Sequence, residues 1–242
     1  MDIKDGRTVK GINFLEIRDA GNPIDLAKKY IKDGADELVF LDITATLEKR
    51  KTLVNLVTEI AKEINIPFTV GGGINTLEDA KAVIDSGADK VSINSSAVKN
   101  PKLISDIANE FGSQCVVLAA DVKFLNNQWI IFINGGKVPT DKIAIDWLKQ
   151  AEQEGAGEIL LTSMNNDGTK NGFAIDILQT VSNELKIPII ASGGAGEKHH
   201  FKDVFQKTNV SAALAASIFH FDEISIPELK KYLKEENILV RI

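Results

Sequence analysis

The sequence predicts an α/β protein of the (β/α)8, or TIM, barrel class, formed by a single domain of two similar half-barrels. The chain has 242 residues, close to the roughly 250 that are typical of such a barrel. Short apolar runs alternate with longer amphipathic segments, with no linker rich in proline, glycine or serine, as expected for a parallel sheet covered by helices. The two halves, residues 1–120 and 121–242, also share short motifs in register.

Seven runs are predicted to be strands buried on both faces, because they are short, mostly apolar and do not alternate with polar residues. They are residues 37–43, 67–70, 90–93, 115–120, 158–162, 188–191 and 211–214. A barrel needs one more strand, and it must come first. Only Met1, Asp2 and Ile3 precede the loop expected to begin at Lys4, so we expect the first strand to be truncated.

Eight amphipathic segments are predicted to be helices. The first, residues 23–33, follows Asn22 as N-cap, begins with proline and ends before Gly34, which suits a C-cap. The others are residues 46–64, 76–86, 101–111, 141–154, 174–185, 197–206 and 227–235.

An internal repeat supports the doubled barrel. Residues 34–38 match 155–159, and the run PFTVGGG at 67–73 matches PIIASGG at 188–194, both at a spacing of 121. Asp2 matches Asp121 at a spacing of 119. Such matches in register indicate duplication of one unit. An insertion at 122–139 interrupts the second half and is predicted to form a small antiparallel hairpin.

Composition and charge narrow the classes of function. The net charge of −6 argues against a nucleic-acid binder, which would show a basic patch. No apolar run reaches the roughly 18 residues of a membrane span, and the N-terminus does not resemble a signal peptide. The single cysteine, Cys115, suits a reducing compartment, so we expect a cytoplasmic protein.

Glycine-rich turns and polar helix starts follow four of the barrel strands, where the active site of this fold lies. In chain order they contain Gly72, Gly73, Asn94 and Ser95, and then Gly193, Gly194 and Ser217. Free backbone N–H groups and the helix dipole bind phosphate at such places. The alternative is that the glycines only allow tight turns. Because the pattern occurs twice, we expect two phosphate sites and a substrate with a phosphate at each end.

Two aspartates end opposite strands of the predicted barrel. Asp2 follows strand one and Asp121 follows strand five, so they face one substrate as a candidate acid and base. The alternative is that each only caps the next loop. Thr162 and Asp167 lie at the same rim and are candidate substrate contacts. The three histidines lack metal-ligand spacing, and His199 and His200 are expected in a surface helix, so we expect no metal and no cofactor.

Three charged residues begin alternate strands at the other end of the barrel. They are Glu37, Lys90 and Glu158, and alternate strands supply the same layer of a barrel interior. Each could instead face outward. Three together predict a charged ring around a passage along the barrel axis.

These residues closely resemble the cyclase subunit of imidazole glycerol phosphate synthase, an enzyme of histidine biosynthesis. The resemblance runs from Asp2 to Ile242 through DIKDGRTVKG, DELVFLDITA, PFTVGGGI, ADKVSINSSAV, GAGEILLTSMNNDGTKNG, IIASGGAG and AALAASIFHF. It implies a lyase that forms a heterodimer with a glutaminase subunit. Ammonia from the glutaminase would cross the barrel and convert the bisphosphorylated ribulosyl-formimino aminoimidazole carboxamide nucleotide into imidazole glycerol phosphate and aminoimidazole carboxamide ribonucleotide, a purine precursor.

The resemblance also implies roles for individual residues. Asp2 and Asp121 match the acid/base pair, Lys10 a lysine on the mobile first loop, and Asp89 a contact to the glutaminase. The ammonia gate is matched by Glu37, Lys90 and Glu158, while its arginine belongs to the segment that this chain lacks before Asp2. Two alternatives are the related phosphoribosyl-formimino isomerase and a non-catalytic barrel that binds phosphates or a partner. The charged ring and the hairpin favour the cyclase.

Overall fold

The computed structural model describes residues 1–12, 15–43 and 54–241, without the side chains of 10–12 and 15–18. Its strands are β1 (Asp2–Lys4), β2 (Arg7–Ile12), β3 (Leu15–Gly21), β4 (Leu38–Asp42), β5 (Phe68–Gly71), β6 (Lys90–Ile93), β7 (Val116–Leu125), β8 (Gln128–Ile133), β9 (Val138–Ile143), β10 (Glu158–Ser163), β11 (Ile189–Ser192) and β12 (Ala212–Leu214).

The described helices lie mostly between the strands. They are α1 (Pro23–Lys32), α2 (Val54–Glu63), α3 (Leu77–Asp85), α4 (Ser95–Lys99), α5 (Lys102–Phe111), α6 (Ala144–Gln153), α7 (Ile175–Glu184), α8 (Lys198–Lys207), α9 (Ser217–His220) and α10 (Ile226–Glu235). None of the helices in these ranges is long and apolar enough to cross a membrane.

Eight strands run parallel in the order β1-β4-β5-β6-β7-β10-β11-β12, which confirms the predicted barrel class. The first half of the chain supplies β1, β4, β5 and β6, β7 spans residues 120 and 121, and the other three lie in the second half. Helix residues such as Ile104, Trp147 and Leu178 share one buried cluster with strand residues such as Leu118 and Ile159. Burying a large apolar side chain contributes about 1.5–3 kcal/mol, so this layer holds the strand ends in place.

The first barrel strand is short, and the sheet is open beside it. Asp2 pairs with Leu41 and Ile3 with Asp42, and the Met1 amino group donates to the Val39 carbonyl. Within the described ranges, β12 pairs with β11 alone. A cavity of about 600 Å³ separates β12 from β4 and is floored by apolar side chains of α8 and α10.

The segment after β1 differs from the expected loop. Residues 7–12 and 15–21 form the antiparallel strands β2 and β3, and β2 also pairs with β1. Asp5 and Gly6 have φ of 51° and 74°, as the tight turns that match strand twist require. Because an Asp-Gly pair is a strong hairpin signal, the turn between β1 and β2 could have been predicted from the sequence.

The insertion of the second half is also larger than expected. β7 and β8 form the predicted hairpin, but β8 pairs further with β9. The prediction that a helix begins at residue 141 is therefore wrong, since residues 138–143 are extended and α6 begins at Ala144. Thr140 Oγ1 donates to the Ile131 carbonyl at 2.8 Å, which helps hold this segment to the sheet.

Two further differences concern helices. Short helices α4 and α9 form just after β6 and β12. Helix starts were expected there, but the helices predicted next along the chain began only at residues 101 and 227. Of the helix predicted over 46–64, the structure describes Val54–Glu63, and residues 46–53 lie outside the described part.

Candidate active site

A cavity of about 370 Å³ lies at the carboxyl ends of the barrel strands. The predicted mouth residues that line it are Asp2, Gly72, Gly73, Asn94, Ser95, Asp121, Thr162, Asp167, Gly193, Gly194 and Ser217. Lys10 belongs to β2, and its side chain lies outside the described part. The structure therefore brings together the residues that the sequence placed at the mouth.

Asp121 is the most unusual ionisable group of the cavity. Burial, then the negative charges of Asp167 and Asp2, raise its pKa from 3.8 to about 7. Asn94 Nδ2 donates to the Asp121 carboxylate at 3.1 Å, which acts in the opposite direction. A carboxyl with a pKa near neutrality can both accept and donate a proton at physiological pH, as an acid/base catalyst requires.

Asn94 also presents an acceptor to the site. Its Oδ1 is buried and finds no hydrogen-bond partner among the described residues. Because buried polar atoms are almost always satisfied, this oxygen is placed to receive a hydrogen bond from a bound molecule. Asn94 thus connects Asp121 to whatever fills the cavity.

The first glycine turn is built for close backbone approach. Gly72 has φ of 94°, and a Cβ there would overlap the backbone of Asp42. Nearby, α4 begins at Ser95 after Asn94, whose side chain makes no capping hydrogen bond. Ser95 Oγ instead accepts from the Asn134 N–H at 2.9 Å, which ties this site to the β8–β9 turn.

The second glycine turn has the same geometry. Gly193, the counterpart of Gly72, has φ of 88°, and a Cβ there would overlap the Ser163 carbonyl oxygen. At Gly194, with φ of 102°, a Cβ would overlap the Gly172 carbonyl oxygen. Gly172 N–H donates to the Gly194 carbonyl at 2.8 Å. The helix α9 begins at Ser217 after Ala216, which has no side chain to cap it. Both halves therefore combine a glycine turn with a helix start that no N-cap side chain covers.

Two lysines of the cavity were not among the residues predicted from the sequence. Lys4 and Lys137 both line the mouth, and neither has an ion pair with the residues that the structure describes. Lys137 follows Gly135 and Gly136 in the β8–β9 turn. That Gly-Gly-Lys run in the insertion was the sequence feature from which Lys137 could have been predicted at the mouth.

The opposite end of the barrel carries the three charged residues predicted there. Lys90 Nζ lies 2.6 Å from Glu158 Oε1 and 3.0 Å from Glu37 Oε2. Burial lowers the pKa of Lys90, but hydrogen bonds to Glu158 and Glu37 outweigh it and raise the pKa overall. Glu158 Oε2 is buried without a partner in the described residues. The group thus pairs one cation with two carboxylates and leaves one acceptor atom open.

Asp89 and the two adjacent histidines make contacts within the protein. The Asp89 carboxylate accepts from the Phe68 N–H at 2.9 Å, which links the starts of β5 and β6. His199 and His200 lie in α8, the predicted surface helix, and His200 is on its buried face, with 9% of the residue exposed. His199 remains exposed beside Glu197.

Known proteins match this chain along its length. A family model described as histidine biosynthesis protein matches residues 1–225. The imidazole glycerol phosphate synthase subunit HisF of Flavobacterium johnsoniae is 60% identical over 242 residues, which cover all of this chain and 96% of that protein. The proteins of the same name from Parabacteroides distasonis and Bacteroides thetaiotaomicron are each 58% identical, with the same coverage.

The family expected from the sequence motifs is thereby confirmed, together with its enzyme class, lyase. The match spans both glycine turns, both aspartates and the charged residues at the opposite end. The chain therefore belongs to the histidine biosynthesis protein family, among the cyclase subunits of imidazole glycerol phosphate synthase.

Proposed function

We propose that the mouth cavity holds the bisphosphorylated ribulosyl-formimino aminoimidazole carboxamide nucleotide while Asp121 and Asp2 exchange protons with it. The observation that carries this proposal is the buried Asp121 carboxyl, whose pKa of about 7 suits an acid/base group. Ring closure with ammonia requires a proton to leave the incoming nitrogen and another to reach the departing one. Two carboxyls in one cavity can serve these two transfers.

The two glycine turns are proposed to hold the two phosphates. Gly72, Gly73 and Ser95 would bind one, with Lys137 as the nearby cation; Gly194 and Ser217 would bind the other. Backbone N–H groups at glycine turns and helix starts suit phosphate oxygens. Thr162, Asp167, Gly193 and the unpartnered Asn94 Oδ1 line the space between and would position the rest of the substrate.

The charged group at the opposite end is proposed to admit ammonia from a glutaminase subunit. Lys90 is held by Glu37 and Glu158, and a buried charge of this kind is costly unless it is paired. Movement of Lys90 would expose the open acceptor Glu158 Oε2 to an incoming nitrogen. Asp89 immediately precedes β6 at the same end of the barrel and is our candidate contact with the glutaminase. The free thiol of Cys115 supports a reducing, cytoplasmic setting.

The test is turnover of the bisphosphate substrate by the purified chain, with ammonium salt as the nitrogen source and no glutaminase present. The proposal expects both imidazole glycerol phosphate and aminoimidazole carboxamide ribonucleotide in equal amounts, only when ammonium is supplied. The matched control is Asp121→Asn, which should bind substrate and form little product. An isomerised product without ammonium would support the isomerase alternative. Binding without any product from the parent chain would support the non-catalytic one.

A further inference from the structure

A histidine holds the C-terminal end of the glycine turn after β11 through hydrogen bonds. His200 is the third residue of α8, and its Nδ1 accepts from the backbone N–H groups of Gly196 and Glu197, each at 3.1 Å. These residues come directly after the turn that contains Gly194. The path of the turn into α8 therefore depends on one ring nitrogen.

The first half-barrel contains the same arrangement with a different acceptor. Asp79 is the third residue of α3, and its carboxylate accepts from the N–H groups of Asn75 at 3.0 Å and Thr76 at 3.2 Å. All three positions precede their counterparts by 121, the spacing of the internal repeat. A carboxyl keeps acceptor capacity in both protonation states, whereas a doubly protonated imidazole has none.

His200 also contacts the loop that supports the turn from the β10 side. A Cβ at Gly172 would stand 3.2 Å from His200 Cδ2, so the ring packs against that peptide. Gly172 donates to the Gly194 carbonyl, and its own carbonyl accepts from Asn166 Nδ2 at 2.8 Å. One side chain thus touches both segments that shape Gly194.

Burial favours the neutral form of the His200 ring. Burial, and then His199, lower the pKa of His200 below its usual value, against opposite effects of Glu197 and Asp203. On the facing loop, Lys170 lies against Gly196 and is ion-paired with Glu223 at 2.6 Å. From α10, Glu228 and Glu236 pair with Lys198 and Lys202 of α8. At neutral pH His200 is therefore an acceptor.

We propose that His200 is a positioning residue for the second phosphate site and acts only as a neutral imidazole. The inference rests on the proposed role of the Gly194 turn in holding a phosphate. Protonation would remove the acceptor from two backbone N–H groups and add positive charge at a helix N-terminus, where the dipole disfavours it. The second site would then loosen in mildly acidic solution, while the first site, fastened by Asp79, would not.

The kinetic test compares the parent chain with His200→Asn, whose Oδ1 can take the place of Nδ1 but does not titrate. With ammonium salt as nitrogen source, KM of the parent for the bisphosphate should rise about tenfold per pH unit below the pKa of His200. In His200→Asn the rise in KM should be reduced to what the titration of the phosphates and of Asp121 causes, while the change of kcat with pH, which Asp121 sets, should be the same in both proteins. Asp79→His should in turn add a pH-dependent rise through the first site. Identical profiles for the parent and His200→Asn would overturn the proposal.

A second measurement needs no catalysis. In NMR titrations of the substrate-free chain, the amide protons of Gly196 and Glu197 should shift together with the His200 ring, while those of Asn75 and Thr76 should not. In His200→Asn these amide shifts should be lost. If the amide protons of Gly196 and Glu197 in the parent do not shift when the His200 ring titrates, the proposal is wrong. If the parent turns over no bisphosphate at neutral pH, the proposed function fails, but the NMR result still decides whether His200 fastens the turn.

Discussion

Burial is the main cause of the raised pKa of the Asp121 carboxyl, and three neighbours modify that pKa. Asp167 and Asp2 add negative charge, and Asn94 supplies the opposing hydrogen bond. Because the side chain is also buried, ionisation is unfavourable until the pH approaches neutrality. This single side chain therefore links the stability of the barrel to its chemistry.

Replacing either aspartate should remove most turnover. We expect Asp2→Asn and Asp121→Asn each to lower kcat by about 10²–10⁴-fold, the usual contribution of general acid–base groups. Substrate affinity, measured by calorimetric titration, should change little, since the phosphates supply most of the contacts. Full activity of either variant would remove that residue from the mechanism.

The raised pKa of Asp121 also predicts a pH-dependent stability difference. The native carboxyl binds its proton more tightly than an ordinary one of pKa 3.8, so the parent chain loses stability as the pH rises from about 4 to about 7. Asp121→Asn does not ionise and should gain relative to the parent over that window, by up to about 4 kcal/mol. Urea unfolding at several pH values measures the gain. The exposed Asp85→Asn serves as control; a difference between Asp121→Asn and the parent that stays constant with pH would be contrary evidence.

At the scale of elements, each half-barrel repeats a strand, a glycine turn and a helix start, and the repeat is visible in the sequence. Equivalent glycines, Gly73 and Gly194, and equivalent strand ends could therefore be assigned from the sequence alone. The β1–β2 hairpin was not predicted although Asp5-Gly6 signals its turn, because the runs that follow carry several charges and resemble a loop. The strand β9 could not be predicted from its local sequence pattern, since it is extended because it pairs with β8.

The strands β4, β6 and β10 bring Glu37, Lys90 and Glu158 to one place, and this predicts the behaviour of Lys90→Met. The variant should keep the ammonium-fed rate and change the ratio of glutamine-fed to ammonium-fed rates in a complex with the glutaminase. Lys62→Met, on the exposed face of α2, is the matched control. Because Lys90→Met leaves two carboxylates uncompensated, Lys90→Arg provides a second variant with the charge retained. An unchanged ratio for Lys90→Met would exclude the gate.

For the whole molecule, the two glycine turns line one cavity, and the two phosphate sites proposed there are expected to act together. Substrate analogues that lack either phosphate should lose kcat as well as affinity, because remote contacts position the reacting centre. Steady-state kinetics with both monophosphate analogues measures this. An analogue with one phosphate and normal turnover would contradict the two-site arrangement.

The architecture and mouth of the barrel could be predicted because they depend on local pattern repeated twice. The hydrogen bonds of His200 with Gly196 and Glu197 are local and were missed. The ionisation of Asp121 and the place of the two lysines at the mouth could not be predicted, since each depends on residues distant in sequence. Lys137, for example, reaches the cavity through the β8–β9 turn, whose position is fixed by Asn134 and Ser95.

The one-sided pairing of β12 has a consequence for hydrogen exchange. Ser211 N–H donates to Ile189, and since successive N–H groups of a strand point to alternate sides, those of Ala212 and Leu214 face the 600 Å³ cavity. Their amide hydrogens should exchange with deuterium faster than those of β11, which is paired on both edges. Ser217 lies three residues after the end of β12, so a phosphate bound there should slow this exchange through the adjoining strand. The second half of the substrate site would thus gain much of its rigidity only when it is occupied.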